Sequence, residues 1–184
     1  MSQNMPLSAL EQLIQGCINK DNRCQKKIYE NFSPKMYGIC LRYMNSREEA
    51  QDVLQDGFVK AFTKMSTYNF DGSFEGWLRR IIVNTALEQL RKNKNKFEER
   101  FDDGHKDYSS VKNEAEGKIE IDELLRALQK LAIGYRTVFN LYIIEGFTHA
   151  EIALSLNISE ATSKSQLSRA KILLQKIIQQ QYVG

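Results

Sequence analysis

Two stretches of this 184-residue chain carry side chains whose types and spacing suit contact with a nucleic acid. In FTHAEIALSLNISEATSKSQLSRAKILLQKII, helical spacing places Thr162, Ser165, Ser168 and Arg169 outside, with Lys164 and Lys176 beside them. Short hydroxyl side chains allow close approach to a DNA groove, an arginine can span two acceptors on a guanine edge, and the lysines suit phosphates. In NFDGSFEGWLRRIIVNTALEQLRKNKNK, the single tryptophan, Trp77, shares a helical stripe with Arg80, Ile81, Asn84, Glu88 and Arg91. Aromatic faces with polar neighbours accept unstacked bases.

Each stretch also has an architectural reading. The first fits an αα-hairpin with a polar exterior. In the second, Trp77 fits a satellite core packed beneath its loop. Catalysis finds little support. Asp52 and Asp56 could be metal-binding carboxylates of a nuclease. However, His105 and His149 join no carboxylate or cysteine cluster, and no GxxxxGK[ST] loop is present. Cys17, Cys24 and Cys40 are too few and too irregular for a disulfide framework or paired zinc ligands. The reading is of a chain that is not an enzyme and needs no cofactor or metal.

The elements that position these residues are helical. A helix from Trp77 to Lys92 puts Leu78, Ile82, Val83, Ala86, Leu87 and Leu90 on one wide apolar face, opposite Trp77. Ser46 with Glu49 fits a capping box for a helix whose inward face is Ala50, Val53, Leu54, Gly57, Phe58 and Ala61, leaving Glu49, Asp52, Gln55 and Asp56 outside. Helical spacing recurs over Ile121 to Leu131, through Leu124, Leu125, Leu128 and Leu131, and over Arg136 to Glu145, through Val138, Phe139, Tyr142 and Ile143. Thr148 with Glu151 then fits a capping box for a short helix through Ile152, Ala153 and Leu156. Asn157 tolerates the left-handed backbone that ends it. Ser159 caps a second helix, whose inward face is Leu167, Ala170 and Leu174. That is helix-turn-helix spacing.

Composition sets the frame. The 42% apolar fraction suits globular packing, and only Pro6 and Pro34 interrupt the chain. No apolar run approaches the roughly 20 residues that span a bilayer, and MSQNMPLSALEQ lacks signal-peptide order, so a cytoplasmic location without membrane insertion is expected. The net charge is +3, distributed unevenly. Arg79, Arg80, Arg91, Lys92, Lys94 and Lys96 form one basic block, and Lys164, Arg169, Lys171 and Lys176 another. Residues 97 to 120 between them are acidic and lack apolar periodicity, which reads as a flexible linker. The expected fold is all-α: two small helical domains, residues 1 to 96 and 121 to 184, joined by that tether.

Taken in order, REEAQDVLQDGFVKAF, SFEGWLRRIIVNTALEQLRK and VFNLYIIEGFTHAEIALSLNISEATSKSQLSRAK resemble the sigma-70 family of RNA polymerase sigma factors, extracytoplasmic-function group. The resemblance covers roughly residues 20 to 92 and 121 to 178. It departs from the family pattern at Leu131-Ala132, where Leu-Pro is common, and at Asn157, where glycine is common. It implies a factor that binds core RNA polymerase, recognises promoter DNA and melts it, with an anti-sigma factor as regulator and no small-molecule substrate. Glu49, Asp52, Gln55 and Asp56 would dock on the polymerase clamp. The loop Asn69 to Gly76, including Ser73, with Tyr68 and Asn84 would pocket a flipped minus-ten base, while Trp77 supports the fork and Arg80 and Arg91 hold the backbone. Thr162, Lys164, Ser165, Ser168 and Arg169 would read the minus-thirty-five element, and the acidic tether would run through the polymerase's nucleic-acid channels. A stand-alone helix-turn-helix repressor is the rival. It would bind duplex DNA without polymerase and would have no use for an exposed Trp77 face.

Overall fold

Short hydroxyl side chains start most of the helices. Ser8, Ser46, Ser73, Thr148 and Ser159 each accept a hydrogen bond from a backbone N–H three residues on, satisfying one of the donors a helix start leaves open. The computed structural model describes residues 8–92 and 116–182. They form α1 (Ala9–Ile18), α2 (Asn22–Tyr43), α3 (Arg47–Thr63), a 3-10 turn (Met65–Thr67), α4 (Phe74–Lys92), α5 (Glu116–Gln129), α6 (Ile133–Phe139), a π-helical turn (Asn140–Ile144), α7 (His149–Leu156) and α8 (Glu160–Tyr182). Among the described residues there is no strand, so the fold is all-α. None of the described helices is long and apolar enough to cross a membrane.

The chain divides into two compact units, Met1–Cys40 with Ser46–Ala86, and Leu41–Asn45 with Leu87–Gly184. In the first unit, Ala50, Val53, Leu54, Gly57, Phe58 and Ala61 of α3 are all buried, as their spacing requires. Leu78, Ile82, Val83 and Ala86 of α4 are buried too. A Cβ at Gly57 would collide with Ile82 Cδ1, so a glycine allows α3 to approach α4 this closely. Pro34 lies inside α2 and removes one helical donor without ending the helix.

The second unit is centred on Ala127, Leu128, Leu131, Ala170 and Leu174, with Tyr135, Phe139, Ile177 and Ile178 packed around them. Here the expected helix from Arg136 to Glu145 needs correcting. It runs regularly only to Phe139 and then widens into the π-helical turn, where the Glu145 N–H reaches the Asn140 carbonyl at 3.0 Å. One extra residue in the turn rotates the succeeding side chains by roughly 100°. The inward face of this stretch is already set by Arg136, Thr137, Val138 and Asn140, so Leu141 takes the next inward place, while Tyr142 and Ile143, expected inside, are exposed. Leu124 is likewise exposed, and Ala127 takes the buried place beside Leu128. Arg136 is the large buried cation of this unit; its guanidinium donates to the Gln129 carbonyl at 3.4 Å and to Asn45 Oδ1 at 2.6 Å. A buried charge needs such acceptors.

Lys94, Lys96, His105 and most of the acidic stretch expected as a tether lie outside the described residues. The last part of that stretch, from Glu116, belongs to α5.

Candidate nucleic-acid interface

The loop between the 3-10 turn and α4 is built from its own side chains. Tyr68 is buried, and its hydroxyl donates to the Gly72 carbonyl at 2.8 Å, closing the loop from beneath. Asn69 accepts from the Asp71 N–H at 3.3 Å and donates to the Asp71 carboxylate at 2.6 Å. The Ser73 hydroxyl accepts from the Gly76 N–H at 3.1 Å, so α4 begins at Phe74, earlier than the expected Trp77. Two residues of the loop are left-handed, Phe70 with φ 64° and Gly72 with φ 83°. Glycine adopts that backbone freely, whereas phenylalanine is strained there.

Trp77 is half-buried, stacked on Phe74 at 5.5 Å and tilted against Tyr68 at 5.5 Å. Tyr68 also meets Phe70 at 4.9 Å, and Phe74 meets Phe32 at 5.2 Å. The tryptophan is thus the outer member of an aromatic cluster that runs from the core to the loop. Arg80 and Asn84 stand exposed on the same stripe of α4. Arg91 is exposed at the end of α4 and belongs to the second unit, where its Nε donates to the Ser155 carbonyl at 2.9 Å. Phe70, exposed at the loop tip, was missed by sequence reasoning because it belongs to no helical stripe. Its neighbours Asn69, Asp71 and Gly72 were the available turn signal.

On α3, Asp52, Gln55 and Asp56 are exposed. Glu49, expected outside with them, is half-buried, and its N–H donates to the Ser46 hydroxyl at 3.1 Å. The neighbouring Glu48 carboxyl is held below the ordinary carboxylate range by hydrogen bonds from its own N–H and the Ser46 hydroxyl. Among the described residues no three His, Cys, Asp or Glu side chains gather as metal ligands would.

In the second unit the helix-turn-helix forms from residues 148 to 182. Thr148 and Glu151 make both halves of the capping box, with bonds of 3.2 Å and 2.8 Å. Asn157 is left-handed, with φ 54° and ψ 50°, and ends α7. Ser159 caps α8 through the Thr162 N–H at 2.9 Å, and its hydroxyl also meets that of Thr162 at 2.8 Å. Thr162, expected outside, is therefore half-buried and occupied in the cap. Lys164, Ser165, Ser168 and Arg169 are exposed. The Ser165 hydroxyl donates to the Thr162 carbonyl at 3.0 Å, and the Arg169 guanidinium to the Tyr135 hydroxyl at 3.4 Å. Leu167, Ala170 and Leu174 are buried. Ser163 was also missed. It falls in the same inward register as those three, is fully buried, and bonds His149 Nδ1 at 2.9 Å.

Residues 28–96 match the family description Sigma-70 region 2, and residues 121–174 match Sigma-70, region 4. Among curated proteins, the chain is 30% identical to the ECF RNA polymerase sigma factor SigW of Bacillus subtilis, over 81% of this chain and 86% of that one. It is 26% identical to the RNA polymerase sigma-H factor of Pseudomonas aeruginosa, over 92% and 93% of the two chains. Among solved structures, the sigma factor RpoE of Bartonella quintana, in complex with the anti-sigma factor NepR, shares the fold with a TM-score of 0.52 and 21% identity, over 84% of this chain and 96% of that one. The ordered pair of regions and the SigW likeness place the chain in the extracytoplasmic-function group of sigma-70 family sigma factors, which act in transcription initiation.

Proposed function

We propose that this chain binds core RNA polymerase, carries it to a promoter and helps to separate the strands there. Residues 1 to 96 would act as region 2, 97 to 120 as a tether and 121 to 184 as region 4. The observation that carries the reading is the outward stripe of α4: a half-buried Trp77 backed by Phe74 and Tyr68, with exposed Arg80 and Asn84 along the same helix. A packed, partly exposed ring is a rigid platform, and stacking a base on it is worth roughly 1 to 3 kcal/mol. Tyr68 and Ser73 would shape the loop from within, Asn69 and Asn84 would meet a flipped minus-ten base, and Arg80 and Arg91 would hold backbone phosphates.

Region 4 would read the minus-thirty-five element through Lys164, Ser165, Ser168 and Arg169, with Thr162 serving the recognition helix through its cap. Asp52, Gln55 and Asp56 would meet the polymerase clamp, Glu49 contributing from the edge of that face. The polymerase supplies the phosphodiester chemistry, so this chain needs no cofactor of its own. The anti-sigma complex of the Bartonella relative supports an anti-sigma protein as regulator here too.

The test is assembly. Core polymerase with this chain should bind its promoter far more tightly than the chain alone, because each unit offers only a small basic surface. Reversing the charge of Asp52 and Asp56 together should reduce co-purification with polymerase while melting stays unchanged, both being exposed. Tight promoter binding without polymerase would support the repressor reading instead.

A further inference from the structure

We infer that the hydrogen bond between His149 and Ser163 is a positioning device that sets the angle at which α8 presents its exposed face to DNA. The inference rests on the reading of α7 and α8 as the minus-thirty-five reader.

Helix α7 has only eight residues, about 12 Å of length, and one of its side chains, Ile152, is fully buried. A helix so short has little apolar surface with which to fix its direction. Its C-terminal end is tied to α8 by the turn through Asn157, where the Ile158 N–H returns to the Ala153 carbonyl at 3.1 Å. The Phe147 N–H bond to the Leu141 carbonyl, 2.9 Å, holds the chain entering α7 to the π-helical turn but not to α8. The bond from His149 Nδ1 to Ser163 Oγ, 2.9 Å long, ties the other end of α7 to the first turn of α8. Two ties at opposite ends of α7 define a crossing angle.

The surroundings hold the pair in place. Ser163 is fully buried in the register of Leu167, Ala170 and Leu174, so its hydroxyl has no water to turn to and depends on His149. The His149 ring lies against Tyr142 at 4.5 Å and 23°, which fixes the plane from which Nδ1 points. His149 also lines an open groove of about 570 Å³ together with Thr148, Glu160 and Lys164, the α8 residue assigned to phosphate, and Ser163 directly precedes Lys164 in the chain. A small rotation of α8 would displace Lys164, Ser165, Ser168 and Arg169 together.

The test compares transcription by holoenzyme from a promoter with its minus-thirty-five element intact and from the same promoter with that element scrambled. Ser163→Ala and His149→Gln should lower the intact-to-scrambled ratio about tenfold, the scale expected when one buried hydrogen bond is lost. Transcription from the scrambled template and polymerase binding should stay at wild-type levels. His149→Asn, whose amide stands where Nδ1 stood, should restore most of the ratio. A Ser163→Ala ratio within about twofold of wild type, or a His149→Asn variant as impaired as His149→Gln, would overturn the device. A wild-type ratio near one would instead refute the minus-thirty-five reading on which it rests.

Discussion

The aromatic loop of the first unit and the helix-turn-helix of the second both present polar side chains outward and both combine burial with hydrogen bonds, yet in different proportion. The loop rests on burial: Tyr68 and Phe74 lie in the core, Trp77 half in it, and Phe70 is forced left-handed at the tip. The helix-turn-helix adds to its buried Ile152, Leu167, Ala170 and Leu174 a dense set of local hydrogen bonds: the Thr148 box, the turn at the left-handed Asn157, the Ser159 cap and the His149–Ser163 tie. Apolar burial is indifferent to direction, whereas caps and ties specify geometry. The contrast suits the proposed roles, a ring offered to a displaced base in one region and one helix held at a set angle in the other.

Substitutions separate the two arrangements. The largest effect is expected at Phe74, which is buried and touches Phe32, Tyr68 and Trp77. Phe74→Ala should destabilise the first unit by about 3 to 5 kcal/mol in denaturant titration, as loss of a core aromatic does. A loss below about 1 kcal/mol would show that the loop is not held by burial. Thr148→Ala should cost about 1 kcal/mol, the scale of an N-cap, and should reduce the hydrogen-exchange protection of α7 before that of α8. Equal loss of protection in both helices would mean that the cap does not act locally.

The smallest effect concerns Cys17, whose thiol is pushed up to about 11 by burial, with Cys24 and Asp21 adding to the shift. A folded-state value above the unfolded one gives stability that is full below pH 9 and is lost as pH rises through about 11. Cys17 should therefore react with iodoacetamide at pH 8 more slowly than the half-buried Cys24. Equal rates would place Cys17 in a looser part of the core.

Most of the architecture was legible because it obeys local rules. The inward faces of α3 and α4, the Thr148 box and the left-handed Asn157 are statements about neighbours within one or two turns. The illegible parts depended on a change of register or on partners distant in sequence. Helical spacing of the apolar residues predicted Tyr142 and Ile143 inside, but the buried face of this stretch carries Arg136 and Asn140, whose partners Asn45 and Arg42 are distant in sequence, and Leu141 follows them inward. Phe70 and the His149–Ser163 pair became visible only when loop and helices were brought together. Ser163 did leave a trace, as a hydroxyl in an apolar register that asked for a partner.

The central claim, that this factor opens promoter DNA through the α4 stripe, is tested most directly by permanganate reactivity of promoter thymines in complexes with core polymerase. The wild-type chain should make thymines around the minus-ten element reactive. Asn84→Ala should abolish that reactivity while keeping polymerase binding and a stability within about 0.5 kcal/mol, since its side chain is exposed. Reactivity at wild-type level in Asn84→Ala would contradict the claim.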